Sequence, residues 1–420
     1  VEPQARKRRE ALRRHLREEE ERAKELARET APSLITGGAG DDPAGVITYT
    51  VIGATTGFSQ LWLLLLSTPM MAAANSMAAR VALAANDGIA AVMERRYGRS
   101  VSLTVVLLLA VANIATIAAD TAGVAAVLAM LTGLPWEPFV PLVLILLALF
   151  LHTGYARVKR VLTGLTVVLL AYLVSAFLAR PDWGEVASNT LVPHVVQERS
   201  WLVAALGLLG TTISPYLLFW QAGEEVEELR RGMTIQASRE DVGVWLGMIY
   251  SNLIAFFIVV AAAATIHVAG QEIQSVADAA RALAPLGQVG LIAFILGLLG
   301  AGLLALPVLA GSTAYAVAEV FGWPEGLGAR AAQARGFYLV LVGSLVGGGL
   351  IALWPGFRPA EALYYSQVLD GVLLPVLILV LLVLSNDPRI VGPTRNPLWV
   401  NVMAVITILV ALAADFAALL

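Results

Sequence analysis

Residues 36–45 read Thr36-Gly37-Gly38-Ala39-Gly40-Asp41-Asp42-Pro43-Ala44-Gly45, and they interrupt an apolar segment near 33–56. Glycines weaken a helix, while Pro43 removes a backbone donor and pushes Asp42 out of helical geometry. A second interruption lies near 200–222, where the chain reads Gly207-Leu208-Leu209-Gly210-Thr211-Thr212-Ile213-Ser214-Pro215-Tyr216. Two apolar helices therefore break in mid-course, one of them at an aspartate.

The surrounding sequence makes these breaks intramembrane. Of the 420 residues, 58% are hydrophobic and 14% charged, against about 25% charged in a soluble domain, and the mean hydropathy is +0.77. Apolar residues come in long uncharged runs such as 102–119, 141–151 and 372–384. A soluble bundle does not need such runs, whereas a bilayer span of about 20 apolar residues does. Spans are predicted near 33–56, 58–86, 100–132, 137–155, 158–179, 200–222, 240–267, 284–320, 335–354, 360–385 and 397–420, the eighth long enough to extend into water. Turn chemistry separates them, as in Asn86-Asp87-Gly88, Thr132-Gly133-Leu134-Pro135, Arg180-Pro181-Asp182, Trp354-Pro355-Gly356 and Asn386-Asp387-Pro388. With the N-terminus in the cytoplasm, 23 of the 28 Lys and Arg fall on the cytoplasmic side, as the positive-inside rule requires. Arg180, Arg199, Arg281 and Arg358 fall outside, and Arg80 lies within the second span.

The predicted fold class is an all-α polytopic membrane protein of about eleven transmembrane helices. Residues 1–32 read as a charged cytoplasmic extension without a signal peptide; the same basic character would also suit lipid headgroups or a partner. Residues 33–385 form the core and 386–420 the eleventh helix. The broken spans stand five helices apart, the sequence signature of an inverted-repeat carrier with its site at mid-membrane. Unwound backbone inside a bilayer must be buried in protein or line a wet cavity, and a carboxylate there is costly unless it meets a cation. Asp42 thus supplies charge and the freed carbonyls supply hard oxygen ligands. Asp41 either lines the inner vestibule or caps the following half-helix. The bland alternative is a pair of proline kinks with no site.

Taken together, these residues resemble the Nramp divalent-metal transporters over about 33–420. Asp42-Pro43-Ala44-Gly45 is similar to that family's Asp-Pro-Gly-Asn, and Thr211 to Tyr216 to its Ala-x-x-Met-Pro-His. Ser366-Gln367-Val368 with Leu374-Pro375, Asn252, and Ala119-Asp120 match further family positions. The resemblance implies a LeuT-like 5+5 inverted repeat with unwound helices 1 and 6, and a plasma-membrane (bacterial inner-membrane) protein. It implies a metal site from Asp42, Gly45, Thr211 through its carbonyl, Ser214, Gln367 and Asn252. Asp120, Tyr216 and Asp370 are expected in a gating or polar network. No resident cofactor is expected; the partners are a divalent metal ion and the lipid bilayer, with no nucleic acid, and the expected form is a monomer.

The departures from the family pattern carry their own chemistry. Ser214 stands where the family has methionine, and Gly45 where it has asparagine. A thioether favours polarizable transition metals; its loss, with the volume freed at Gly45, favours an ion that keeps its water, as Mg²⁺ does. This looks like the Nramp-related magnesium transporters, which move Mg²⁺ and also Mn²⁺. Gly123 stands where the family has a proton-transferring Glu, and Tyr216 and Gln221 replace its helix 6 histidines. The histidines of this chain, His15, His152, His194 and His267, lie outside helices 1, 3 and 6. Since an intramembrane proton relay runs on Asp, Glu or His, the expectation is transport uncoupled from protons. The alternatives are a proton-coupled Mn²⁺/Fe²⁺ transporter and an amino-acid-type carrier on the same fold, the latter opposed by the Asp42 charge. An enzyme finds no support: there is no His-Glu-x-x-His run and no nucleophile–base pair. Glu224, Glu225, Glu227 and Glu228 read as a solvated loop, and the glycines at 297–302 and 347–349 as close helix packing.

Overall fold

The computed structural model describes residues 41–153, 167–230, 237–329, 331–393 and 395–419. The charged extension at 1–32, residues 33–40 of the first span, and 158–166 of the fifth lie outside the described residues. Among the described residues eight helices are long and apolar enough to cross a membrane. They are α2 (Leu61–Ala85), α4 (Arg99–Thr132), the pair α8 (Arg199–Thr212) and α9 (Pro215–Arg230), α10 (Ala237–Ala262), α12 (Gly287–Phe321), α13 (Arg335–Ala352), α14 (Pro359–Leu384) and α16 (Leu398–Leu419). Shorter apolar helices are α5 (Phe139–Thr153) and α6 (Ala171–Ala179), and α1 (Pro43–Thr56) is the described part of the first predicted span. Non-spanning helices are α3 (Ile89–Tyr97), α7 (Trp183–Leu191), α11 (Val276–Ala279) and α15 (Pro388–Val391).

The broken first and sixth spans lie at the centre. α1 is buried along most of its length, ringed by α4, α8, α10 and α14, whereas α16 and α13 expose large apolar side chains such as Leu409, Phe416, Leu339 and Leu350 to lipid. Small residues permit this packing. A Cβ on Gly210 would lie 2.0 Å from the Gln367 carbonyl oxygen, and one on Gly371 would lie 2.3 Å from that of Leu206, so the backbones of α8 and α14 touch. A Cβ on Gly302 would meet Val124 at 2.2 Å and Pro43 at 3.0 Å, so Pro43 is wedged between α12 and α4. The predicted packing glycines divide: Gly297, Gly302, Gly348 and Gly349 abut neighbours, but Gly347 faces open space.

Both ends of the bundle are tied by polar contacts. At the far end of α1, Gln60 Nε2 donates to the Trp201 carbonyl at 2.8 Å and Trp201 Nε1 donates to Ser59 Oγ at 2.8 Å. At the end bearing α3, Glu319 accepts from the Ala90 amide at 2.8 Å and so occupies the start of that helix. Arg230 reaches Glu325 at 3.2 Å and Asp87 at 3.7 Å, and Arg96 pairs with Asp387 at 2.6 Å. The expected solvated loop at 224–228 is instead helix, because α9 runs on to Arg230. Gln221 Nε2 donates to Glu225 at 2.9 Å, and Glu227 accepts from the Tyr315 hydroxyl at 2.6 Å and from the Gly328 amide at 3.0 Å. These tertiary acceptors and donors draw the acidic turn inward.

Two tests follow from this packing. Gly210→Ala forces a methyl into the α8–α14 crossing and should lower the melting temperature by an amount matching at least the about 1–3 kcal/mol typical of overpacking; Gly347→Ala should leave it unchanged. Burial pushes the Glu325 carboxyl up to about 7 from 4.5, against the opposing pull of Arg230. A raised carboxyl favours the folded state fully below its unfolded value and loses that contribution as pH rises through the folded one. Thermal stability should therefore fall between pH 4.5 and about 7, and Glu325→Gln should remove that component of the slope.

Candidate functional site

The first break is a helix start held inside the bundle. Asp42 is extended (φ −66°, ψ 168°), Pro43 takes the first helical position, and Asp42 Oδ1 accepts from the Gly45 amide at 2.5 Å. This is N-cap chemistry. A second carboxylate serves the same helix end: Asp120 Oδ1, from α4, accepts from the Ala44 amide at 3.0 Å. Two of the unsatisfied amides of a helix N-terminus thus find acceptors, and the positive end of the α1 dipole faces both charges. The other Asp42 oxygen, Oδ2, accepts from the Tyr216 hydroxyl of α9 at 3.2 Å.

The second break is its counterpart. The ladder of α8 ends at Thr212, Ile213 leaves helical geometry (φ −112°, ψ 56°), and α9 restarts at Pro215. Ser214 Oγ donates to the Thr211 carbonyl at 2.8 Å, so the residue and the carbonyl predicted as ligands bond to each other across the break. Gln367 and Asp370 approach from α14, whose backbone meets α8 at Gly210. Gly123 lies against Leu363 (3.1 Å from its would-be Cβ) and Pro43 (3.5 Å), so a longer side chain there would point at the start of α1.

The structure thus brings Asp42, Gly45, Asp120 and Tyr216 together at the first break. It sets Thr211 and Ser214 at the second, and Gln367 and Asp370 beside it. Asn252 is placed elsewhere: its Nδ2 donates to Thr68 Oγ1 at 2.8 Å and Ser67 Oγ at 3.3 Å, both on α2. Its neighbour Ser251, unremarked in the sequence, donates to Asp41 Oδ1 at 2.9 Å. Asp41 is therefore held by α10, and Asp42 does the capping.

Charge is unbalanced here. Asp41, Asp42, Asp120 and Asp370 are buried, and no Lys, Arg or His is among the buried side chains of the described residues. Carboxylates in such surroundings call for a cation. Among the described residues no three His, Asp or Glu side chains converge closely enough to hold a metal ion. The donors at the breaks are carboxylate, hydroxyl, amide and carbonyl oxygens.

Asp120→Ala would strand the Ala44 amide in a buried place, and should cost about 1–3 kcal/mol of stability, read as a lower melting temperature in detergent. Asp120→Asn keeps an acceptor oxygen and should restore most of the loss.

Residues 33–420 match the model of the family described as natural resistance-associated macrophage protein-like. The chain is 25% identical over 395 residues to a protein of Verminephrobacter eiseniae named divalent metal cation transporter MntH, covering 91% of this chain and 86% of that protein. It is 28% identical over 376 residues to a protein of the same name from Agrobacterium fabrum, covering 86% and 80%. Its fold is similar to the crystal structure of a manganese transporter of Eremococcus coleocola in complex with an aromatic bis-isothiourea compound, with a TM-score of 0.72 and 19% identity over 93% of this chain and 86% of that one. It is also similar to Mhp1, a nucleobase-cation-symport-1 family transporter, with a TM-score of 0.56 and 15% identity over 92% and 91%. With the family motif positions assembled at the two breaks and the match running from residue 33 to the last, the chain belongs to the Nramp family of multi-pass membrane transporters.

Proposed function

We propose that the protein carries divalent cations across the bilayer, taking up Mg²⁺ and also Mn²⁺ as largely hydrated ions, without moving protons alongside them. The observation that carries this reading is the set of groups around the breaks: buried carboxylates without basic partners, and oxygen donors where a thioether would select softer metals. Mg²⁺ releases water reluctantly and is usually held by one or two carboxylates with waters between. Oxygen donors on Asp42, Ser214, Thr211 and Gln367, with no side chain at Gly45, suit such an ion better than a cage closed by a thioether. Asn252 joins this set if α10 turns it from α2. The chain enters the bilayer with its N-terminus in the cytoplasm, on the side rich in Lys and Arg.

The ion needs no proton to drive it. An inside-negative potential contributes about 2.3 kcal/mol per charge per 100 mV, or about 4.6 kcal/mol for a divalent ion. Gly123, against Pro43, carries no carboxylate, and Tyr216 and Gln221 offer no imidazole. A second reading is proton-coupled Mn²⁺ transport. The similar structure from Eremococcus coleocola is named a manganese transporter, and Asp120 and Asp370 offer titratable groups. An amino-acid carrier fits poorly, since the buried carboxylates would repel a substrate carboxylate.

Proteoliposomes holding a pH dye separate the readings. Mg²⁺ and Mn²⁺ entry under an inside-negative potential, without acidification, and abolished by Asp42→Ala, is the expected result. Mn²⁺ entry with acidification and no Mg²⁺ flux would overturn it in favour of the proton-coupled reading.

A further inference from the structure

One face of α14 carries polar groups that the fold itself does not use. Asp370 is 1% exposed, and neither of its carboxylate oxygens has a partner in the protein. Gln367, one turn earlier, is 0% exposed, and neither its amide oxygen nor its amide nitrogen has one. Residues three apart share a helix face, so four unmatched polar atoms are stacked on one side of α14. Across from them Asp120 Oδ2, on α4, is equally without a partner.

Burying such groups is costly, and native proteins rarely leave them unmatched without reason. Relaxation of the backbone does not offer a remedy. The α14 backbone at Gln367 and Gly371 is in contact with the α8 backbone at Gly210 and Leu206, one residue from Thr211 and the break. Asp370 is therefore fixed beside the second break. A purely structural hydrogen bond would give Asp370 a donor, and the structure provides none. What satisfies a carboxylate and an amide together is a cation with bound water: the carboxylate and the amide oxygen accept from the waters, and the ion balances the charge.

We propose that Asp370 forms a second cation subsite, one helical turn beyond Gln367, which holds a divalent ion through its water shell on the α14 side of the breaks. The proposal rests on the reading of the protein as a divalent-cation transporter and adds a station to its path. The ion is shared between two carboxylates on opposite walls, Asp42 at the start of α1 and Asp370 on α14, and neither has to strip it.

Calorimetric titration of the purified full chain with Mn²⁺, and with Mg²⁺ as competitor, tests this. Asp370→Asn is nearly isosteric, and its melting temperature should match the parent. Its dissociation constant for Mn²⁺ should rise at least about tenfold, as expected for removing one close charge from a divalent ion in a medium of intermediate dielectric. Asp370→Glu should recover most of the affinity. In an Asp42→Asn background a weaker Mn²⁺ binding should persist and should vanish on adding Asp370→Asn. Unchanged affinity in Asp370→Asn, with residual binding in Asp42→Asn indifferent to residue 370, would overturn the subsite and leave the transport reading standing. A parent protein that binds neither Mn²⁺ nor Mg²⁺ would overturn the transport reading, and the subsite with it.

Discussion

The rest of the structure depends on a helix that begins inside the bundle. A helix N-terminus presents amides with no partner of their own, and in a bilayer no water from the lipid side can serve them. Asp42 and Asp120 answer for two of them, at Gly45 and Ala44. The sequence achieves this with Pro43, which starts α1 and keeps Asp42 extended as its cap in the same step. The same device recurs at Ser214-Pro215, where α9 restarts. Each broken span thus has a proline at the first position of its second half and a polar residue just before it. A dipole end and a side-chain oxygen are delivered to the same depth from two directions.

Packing converts those two ends into a shaped site. Glycines at 210 and 371 let the α8 and α14 backbones touch, and Gly302 and Gly123 leave room for the Pro43 ring between α12 and α4. With no hydrophobic gain available between helices in lipid, such close approach is a main source of association. The consequence is positional. Thr211 is fixed relative to Gln367, and Pro43 is fixed relative to Asp120, without any of these side chains having to bond to one another. Tyr216 then joins α9 to the start of α1 by donating to Asp42.

The breaks were legible because proline and glycine act locally: Asp42-Pro43 and Ser214-Pro215 break a helix whatever surrounds them. Turn chemistry was legible for the same reason, and Asn86 and Gly133 both take the left-handed conformation that ends their helices. What could not be read were partners far apart in the chain. Ser251 holds Asp41 across 210 residues, and nothing in the local pattern around Ser251 marks it. Glu319 occupies the start of α3, a short helix hidden in what reads as a charged loop, because its amphipathic face is only nine residues long. Asn252 was assigned by motif position, but it sits within reach of Thr68, and a carboxamide takes whichever hydroxyl is nearer. The acidic run after α9 reads as solvated until Tyr315 and the 327–328 amides supply donors for Glu227.

Selectivity follows from how charge is distributed. The helix start offsets part of the charge on Asp42 and Asp120, since each accepts a backbone amide there. Asp370 has no such donor. The field at the breaks is therefore graded: a carboxylate already engaged by the helix end on one wall, and an unengaged one on the other. A bare transition ion gains most where several ligands close on it at once. A hydrated ion gains at a distance from each carboxylate in turn and gives up little water at either. Under the proposed hydrated-ion reading, separated charges with oxygen donors suit the ion for which dehydration is the larger cost. In that reading the hydroxyl of Ser214 and the bare Gly45 would act in the same direction, since neither offers the thioether that softer metals prefer.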